Sequence, residues 1–172
     1  MTFSQLAKER FSCRKFKPNK VEQDKIDTIL NAAVVAPTAV NKQPQRILVL
    51  TDDDKLKSLK DCTRFDFDAP LCFVICAQRD CAWTRRYDDK SSYETDAAII
   101  TTHMMLQAQD IGLGTTWVMS FNPIKAREIL NIPDDYEILY FLPTGYPAED
   151  VQINALHDTF IDMDEMVKYN EF

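Results

Sequence analysis

Arg10, Ser12 and Arg14 alternate within the stretch RFSCRKF, residues 10–16. In an extended backbone, alternate side chains face the same way. Two guanidiniums and a hydroxyl on one side make a fork suited to phosphate or another small anion. The same residues also fit a solvated basic loop after a helix, where cations complement the helix dipole. The charge pattern makes the stretch conspicuous. The chain carries 20 Lys+Arg against 27 Asp+Glu, a net charge of −7. Yet Lys8, Arg10, Arg14, Lys15, Lys17 and Lys20 crowd the first 20 residues beside one acid, Glu9, giving +5 there and −12 in the rest. A chain this acidic lacks the broad basic face of a nucleic-acid binder, so no nucleic-acid partner is expected.

Two further stretches could contact a flat, polar-edged ligand. In APTAVNKQPQR (36–46), prolines bracket small residues, an asparagine and a glutamine. Pro and Ala can lie against a ring while the amides serve its edge. An ordinary helix-to-strand connection is the commoner outcome for such a stretch. In GLGTTWVM (112–119), small residues allow close backbone approach and Trp117 adds a flat surface, although packing beneath the preceding helix is the plainer reading.

Other chemistries are poorly supplied. The only glycines are Gly112, Gly114 and Gly145. A phosphate-binding P-loop and a dinucleotide fingerprint each need glycines at fixed spacing between a strand and a helix. GLGTTW has one G-x-G in the inverse context, helix to strand. Ser12, Ser91, Ser92 and Ser120 lack a nucleophile-elbow setting. Of the two histidines, His103 falls on a predicted helix as a partnered core residue, and His157 lies in a polar C-terminal segment, where exposure is expected. Five cysteines, an odd number in a chain too long to need stapling, read as free thiols in a reducing compartment. Cys72-x3-Cys76 is not a strong zinc spacing, and no metal is expected.

These groups need elements to position them. Residues 3–10 read as a short helix. Ile26, Ile29, Leu30, Ala33 and Val34 form one face of a helix in VEQDKIDTILNAAVVAP, which Pro37 ends. RILVL (46–50) and LCFVICA (71–77) read as buried strands, separated by a helix that Asp52 or Asp53 caps. Residues 78–92 are polar and aperiodic, a surface excursion. Ala97, Ile100, Met104, Ala108 and Ile111 mark a long central helix that Gly112 stops. TTWVM (115–119) reads as a strand or extended segment, NPIKAREIL as a helix capped by Asn122 with Pro123 at its first position, and YEILYFLPTG as a further strand. MDEMVKY closes with a short helix. Three or four strands without a β-α-β rhythm predict an α+β fold.

Length and composition fit a single domain over residues 1–172. A hydrophobic content of 45% argues against wholesale disorder. No apolar run approaches the roughly 20 residues of a membrane span, and the N-terminus lacks the apolar core of a secretory signal. No membrane partner and a cytoplasmic location are therefore expected.

Taken together and in this order, five stretches resemble the FMN-dependent nitroreductase family, as a short member. They are RFSCRKF (R-x-S-x-R-x-F), APTAVNKQP, GLGTTWV after a long helix, NPIKAREILNIPDDY, and LYFLPTGYPAED. The resemblance covers Met1 to about Asp150. It implies an α+β fold with a central, mostly antiparallel sheet flanked by helices, assembled as an intertwined homodimer with FMN in two interface clefts. It places Arg10 and Ser12 at the FMN phosphate and ribityl chain, and Arg14 near the N1/O2 edge of the ring. It sets Pro37, Thr38, Ala39 and Asn41 of the second subunit against the same flavin, with Gln43 holding their loop. The backbone of Trp117, Val118 and Met119 would line the ring near N5, and Gly145 the phosphate end. Arg64 is the donor available for the pyrimidine edge. The implied activity is NAD(P)H-dependent, ping-pong reduction of nitroaromatic, quinone-like or other small acceptors. The flavin carries the chemistry and no catalytic acid–base side chain is required. The alternative is a flavin-binding sensor or store with little turnover, suggested by one departure. Relatives carry Lys or Arg after G-x-x-x-E, completing the phosphate clamp. Here DVQINALHDTFIDMDE has none before Lys168, and His157 is the possible substitute.

Overall fold

The computed structural model describes residues 1–172, in which the apolar periodicities resolve into six α-helices and four strands. In chain order these are α1 (Phe3–Glu9), α2 (Gln23–Val35), β1 (Gln45–Leu50), α3 (Asp53–Ser58), β2 (Leu71–Gln78), α4 (Tyr93–Asp110), β3 (Gly114–Thr115), α5 (Pro123–Leu130), β4 (Tyr136–Gly145) and α6 (Met163–Met166). The strands form one antiparallel sheet in the order β1-β2-β4-β3. The architecture is α+β.

Both faces of the sheet are covered, which explains why β2 and β4 are continuous apolar runs rather than alternating ones. Leu71, Phe73, Ile75 and Ala77 pack with Ile26, Ile29 and Ala33 of α2 and with Ala97, Ile100, Met104 and Ala108 of α4. The intervening Cys72, Val74 and Cys76 pack on the other side with Leu59, Cys62, Ala126 and Leu130. Ile75 pairs with Tyr140, but Cys76 pairs with Ile138, so Leu139 is an extra residue in β4. This bulge lets Leu139 and Tyr140 both join the α2/α4 side. Burial pushes the Cys72 thiol up to about 12 and that of Cys76 to about 11. Both are protonated packing groups rather than nucleophiles. All five cysteines are free.

Local signals set most boundaries. Asp52 caps α3 by accepting from the amides of Asp54 and Lys55, and Asn122 caps α5 ahead of Pro123. Gly112 adopts φ +81° just past α4. Helix α2 stops at Val35, two residues before Pro37, because the residue preceding proline disfavours helical geometry. Val34, expected on the core face, is instead 71% exposed. Ile26, Ile29 and Ala33 already fill the stripe facing the sheet, and Val34 lies about 100° further round the helix. The segment 115–119, expected as a strand or extended segment, joins β4 discontinuously: ladder pairing ends at Thr115, the Thr116 amide donates to the Pro143 carbonyl at 3.1 Å, and a single bridge links Val118 to Phe141. The excursion 78–92 contains a small hairpin, with Thr84 bridged to Ser91 and the Ser92 amide donating to the Trp83 carbonyl at 2.8 Å. Having no buried face, it carries no periodic signal. No helix is long and apolar enough to cross a membrane.

Candidate functional site

The segment 10–16 leaves α1 in extended geometry and runs beside the end of the sheet. Ser12 bridges Thr115 in parallel, and the Cys13 amide donates to the Thr115 carbonyl at 2.9 Å. The Thr116 hydroxyl donates to the Cys13 carbonyl. Further along, the Lys17 amide donates to Tyr146 at 2.8 Å, and that of Ala148 to Lys15 at 3.0 Å. Cys13 is fully buried, packed over Gly114. A Cβ on Gly114 would stand 2.6 Å from the Cys13 Cβ, so only glycine permits this approach. Gly145, the register partner of Gly114, does the same for Pro70, whose Cδ would lie 2.8 Å from an added Cβ. With Cys13 turned inward, its neighbours Ser12 and Arg14 turn outward.

Arg10, Ser12 and Arg14 line one cleft of about 260 Å³, closed on its far side by residues 153–160, including Asn154, His157 and Thr159. No carboxylate lines it. Arg10 Nη1 is buried without a hydrogen-bond partner, and burial pulls its guanidinium below the ordinary range. A buried charged donor left unpaired is costly, and an anion in the cleft would relieve it. Arg14 is exposed and its Nη1 lies 3.4 Å from the Ser12 carbonyl oxygen. Three other cations of the basic cluster are engaged elsewhere. Lys15 pairs with Asp150, Lys17 with Glu149 at 3.2 Å and Lys20 with Asp53 at 3.4 Å. Exposed pairs of this kind contribute little stability, but they leave the two arginines as the cations that face the cleft. His157, expected to be exposed, is half-buried here because the 153–160 segment folds against the Arg10 wall.

The loop 36–46 is braced internally. Thr38 Oγ1 accepts from the Gln43 amide at 3.1 Å, and Gln43 Nε2 donates to Asn41 Oδ1 at 2.7 Å. Val40, Asn41 and Gln43 all have positive φ, near +50°. Pro37, Asn41 and Gln43 are exposed, while Thr38 and Ala39 are half-buried. The loop is anchored through Asp96, a residue the sequence reading passed over. Its carboxylate is 1% exposed, accepts from the Ala39 amide at 2.8 Å and accepts from the Ser92 hydroxyl at 2.7 Å. The available signal was an acid four residues before Ile100, on the buried stripe of α4. Asp96→Asn keeps the shape but gives up the charge assistance. It is expected to cost about 1 kcal/mol, lowering Tm by about 2–4 °C, with faster hydrogen exchange at the Ala39 amide.

Within one chain this loop does not reach the Arg10 cleft; Ala39 lines a different hollow beside the 83–92 hairpin. Arg64 is exposed beside a third hollow, near Ser120 and Asn122. Trp117 packs on Tyr140 with ring centroids 4.4 Å apart, and its indole Nε1 is buried without a partner. Both backbone groups of Val118 are taken by Phe141, at 2.9 Å each. The backbone amides of Trp117 and Met119, one on each side, remain for another partner. Gly145 lines no part of the cleft and packs instead between Pro70 and Phe16.

The nitroreductase family profile matches residues 7–66 and 61–146, most of the chain. This protein belongs to the nitroreductase family. The full length superposes on a nitroreductase family protein from Clostridium difficile 630, with a TM-score of 0.93, 38% identity and complete coverage of both chains. An FMN-dependent nitroreductase from Clostridium difficile R20291 is similar at 29% identity and TM-score 0.80, covering 97% of this chain and 98% of that one. A candidate NADH dehydrogenase/NAD(P)H nitroreductase from Archaeoglobus fulgidus is 28% identical over 158 residues, 88% of each chain. The nitroreductase fold accounts for the helix-flanked antiparallel sheet, and membership makes this protein an oxidoreductase.

Proposed function

We propose that this nitroreductase-family protein is a homodimeric, FMN-dependent NAD(P)H oxidoreductase, a single domain over residues 1–172 that reduces nitroaromatic, quinone-like or other small acceptors. The observation that carries this reading is the unpaired, buried Arg10 Nη1 in a cleft free of carboxylates. Bound FMN would supply the hydride chemistry. Arg10 and Ser12 would hold its phosphate and ribityl chain, and the charge of Arg14 would favour its reduction. The Trp117 and Met119 amides and Arg64 would supply donors to the flavin, and Gly145 keeps the end of β4 close to the N-terminal segment. Pro37, Thr38, Ala39 and Asn41 come from the second copy, on a loop stiffened by Gln43 and Asp96. One open ring face would admit reductant and acceptor in turn, giving ping-pong kinetics.

Surface apolarity supports the dimer. A groove of about 870 Å³ runs between α1, α2 and α4, lined by Phe3, Val35 and Leu106 among others. Val35 is 77% exposed. The tail 152–172 makes backbone hydrogen bonds only within itself, yet carries the exposed Leu156, Phe160 and Met163. Apolar surface on this scale is usually covered by a partner.

The freshly purified protein is expected to be a yellow dimer, bleached anaerobically by NADH or NADPH. A colourless protein that takes up no added FMN overturns the proposal. The absence of Lys and Arg from 151–167 motivates a second reading, a flavin store or sensor. FMN binding without useful turnover across a panel of acceptors would select it.

A further inference from the structure

The cleft has two unlike walls. The 10–14 wall brings two guanidiniums, whereas the 153–160 wall brings no permanent cation. Lys168, the first one beyond it, donates to the Asp164 carbonyl instead. The sole ionisable side chain on the second wall that lines the cleft is His157. Its position is fixed locally. The Asn154 side chain accepts from the Leu156 amide at 2.9 Å, and the His157 amide donates to the Asn154 carbonyl at 2.8 Å, closing the turn 155–158. Leu156 and Phe160 on either side are 75% and 78% exposed, while His157 is drawn in to half-burial against the arginine wall. His103 spends its Nδ1 on the Ile99 carbonyl oxygen, 2.9 Å away. The His157 ring makes no hydrogen bond within the chain.

We propose that His157 is the second jaw of the anion site, gripping the FMN phosphate across the cleft from Arg10 and adding to FMN retention a contribution that falls as pH rises. This rests on the flavin reading above. A neutral imidazole offers one N–H donor; the protonated ring offers two and a positive charge. The charged groups that line the cleft with His157 are Arg10 and Arg14, and Asp158 is its neighbour on the same turn. Without an anion, a protonated ring would make a third cation in a cleft with no lining carboxylate. With phosphate between the walls, that charge is neutralised, so phosphate binding and proton uptake at His157 reinforce each other. The linkage has a definite sign. The contribution of an imidazole is greatest where it is protonated and declines as pH rises. A Lys or Arg in the same place would hold phosphate without that decline.

The test measures FMN affinity of the full-length protein by flavin fluorescence, at about pH 6 and about pH 8, in the wild type, His157→Ala and His157→Lys. The FMN phosphate itself gains charge near pH 6, which acts in the opposite direction. His157→Lys, charged at both pH values, therefore serves as the reference. At the lower pH, His157→Ala should bind FMN about tenfold more weakly than wild type, and the gap should narrow at the higher pH, where the neutral ring keeps one donor. Wild type should lose affinity relative to His157→Lys over the same interval. Calorimetry in buffers of different ionisation enthalpy should register proton uptake with FMN in the wild type and less in both variants. Riboflavin, which has no phosphate, should be indifferent to His157→Ala. Tight FMN binding that is equal in wild type and His157→Ala at the lower pH overturns the role of His157 and leaves the flavin reading standing. A wild type that binds no FMN at either pH overturns both.

Discussion

Arg10→Ala is expected to weaken FMN binding by about 1–3 kcal/mol, about 5- to 150-fold, while barely changing the melting temperature of the flavin-free chain. The two halves of this expectation have one origin. Arg10 Nη1 has no partner within the chain, so its removal breaks no internal hydrogen bond there. Burial already disfavours the guanidinium, as the downward pull on its pKa indicates. Truncation therefore removes a desolvated charge that the unliganded fold does not use. An arginine kept only for packing would give the reverse result, a lower melting temperature and unchanged FMN affinity, and that outcome would withdraw the phosphate role. Arg10→Lys should fall between, since an ammonium retains the charge but not the planar fork.

Gly114→Ala should produce the largest loss of stability, about 2–3 kcal/mol, or about 4–12 °C in Tm. The added methyl would meet Cys13 Cβ at 2.6 Å and Sγ at 2.8 Å. Neither side can yield cheaply. Cys13 is held through its amide and its carbonyl to Thr115 and Thr116, and Gly114 is in the ladder with Gly145. Lifting the segment off the sheet should also displace Ser12 and Arg10, so FMN affinity should fall with stability. Gly112→Ala is the control. Nothing lies within 4 Å of its added Cβ, and only the positive φ opposes it. It should cost about 1 kcal/mol and leave FMN affinity unchanged. Equal melting temperatures for Gly114→Ala and wild type would show that the segment is not clamped at this point.

The parts of the fold legible in the sequence are those with a one-dimensional signature. The runs at 71–77 and 136–145 announce strands because both faces of the sheet are covered, and the three-to-four spacing from Ala97 to Ala108 announces α4. Asn122 and Pro123 mark a helix start through groups that act within three residues. What stayed hidden depends on partners distant in sequence. Nothing near Lys15 or Lys17 reveals that Asp150 and Glu149 neutralise them. The extra residue Leu139 is set by register against β2, and the hairpin at 83–92 has no buried face to pattern it. The candidate site shows the same division. The alternation of Arg10, Ser12 and Arg14 is local, and these three line one cleft. The far wall at 153–160 and the anchoring of Ala39 by Asp96 are products of the tertiary fold.

The stitching of residues 12–17 to Thr115, Thr116, Tyr146 and Ala148 has a consequence for biosynthesis. Ser12 and Cys13 must wait for β3, and Lys15 and Lys17 for the residues just past β4, before they have these partners to pair with. Contacts spanning more than 100 residues close late, because the entropy of so long a loop must be overcome first. Arg10 therefore cannot grip an anion during most of translation, however abundant the flavin. Under the proposed function, cofactor capture would follow closure of these contacts, and an incompletely folded chain would be left without it.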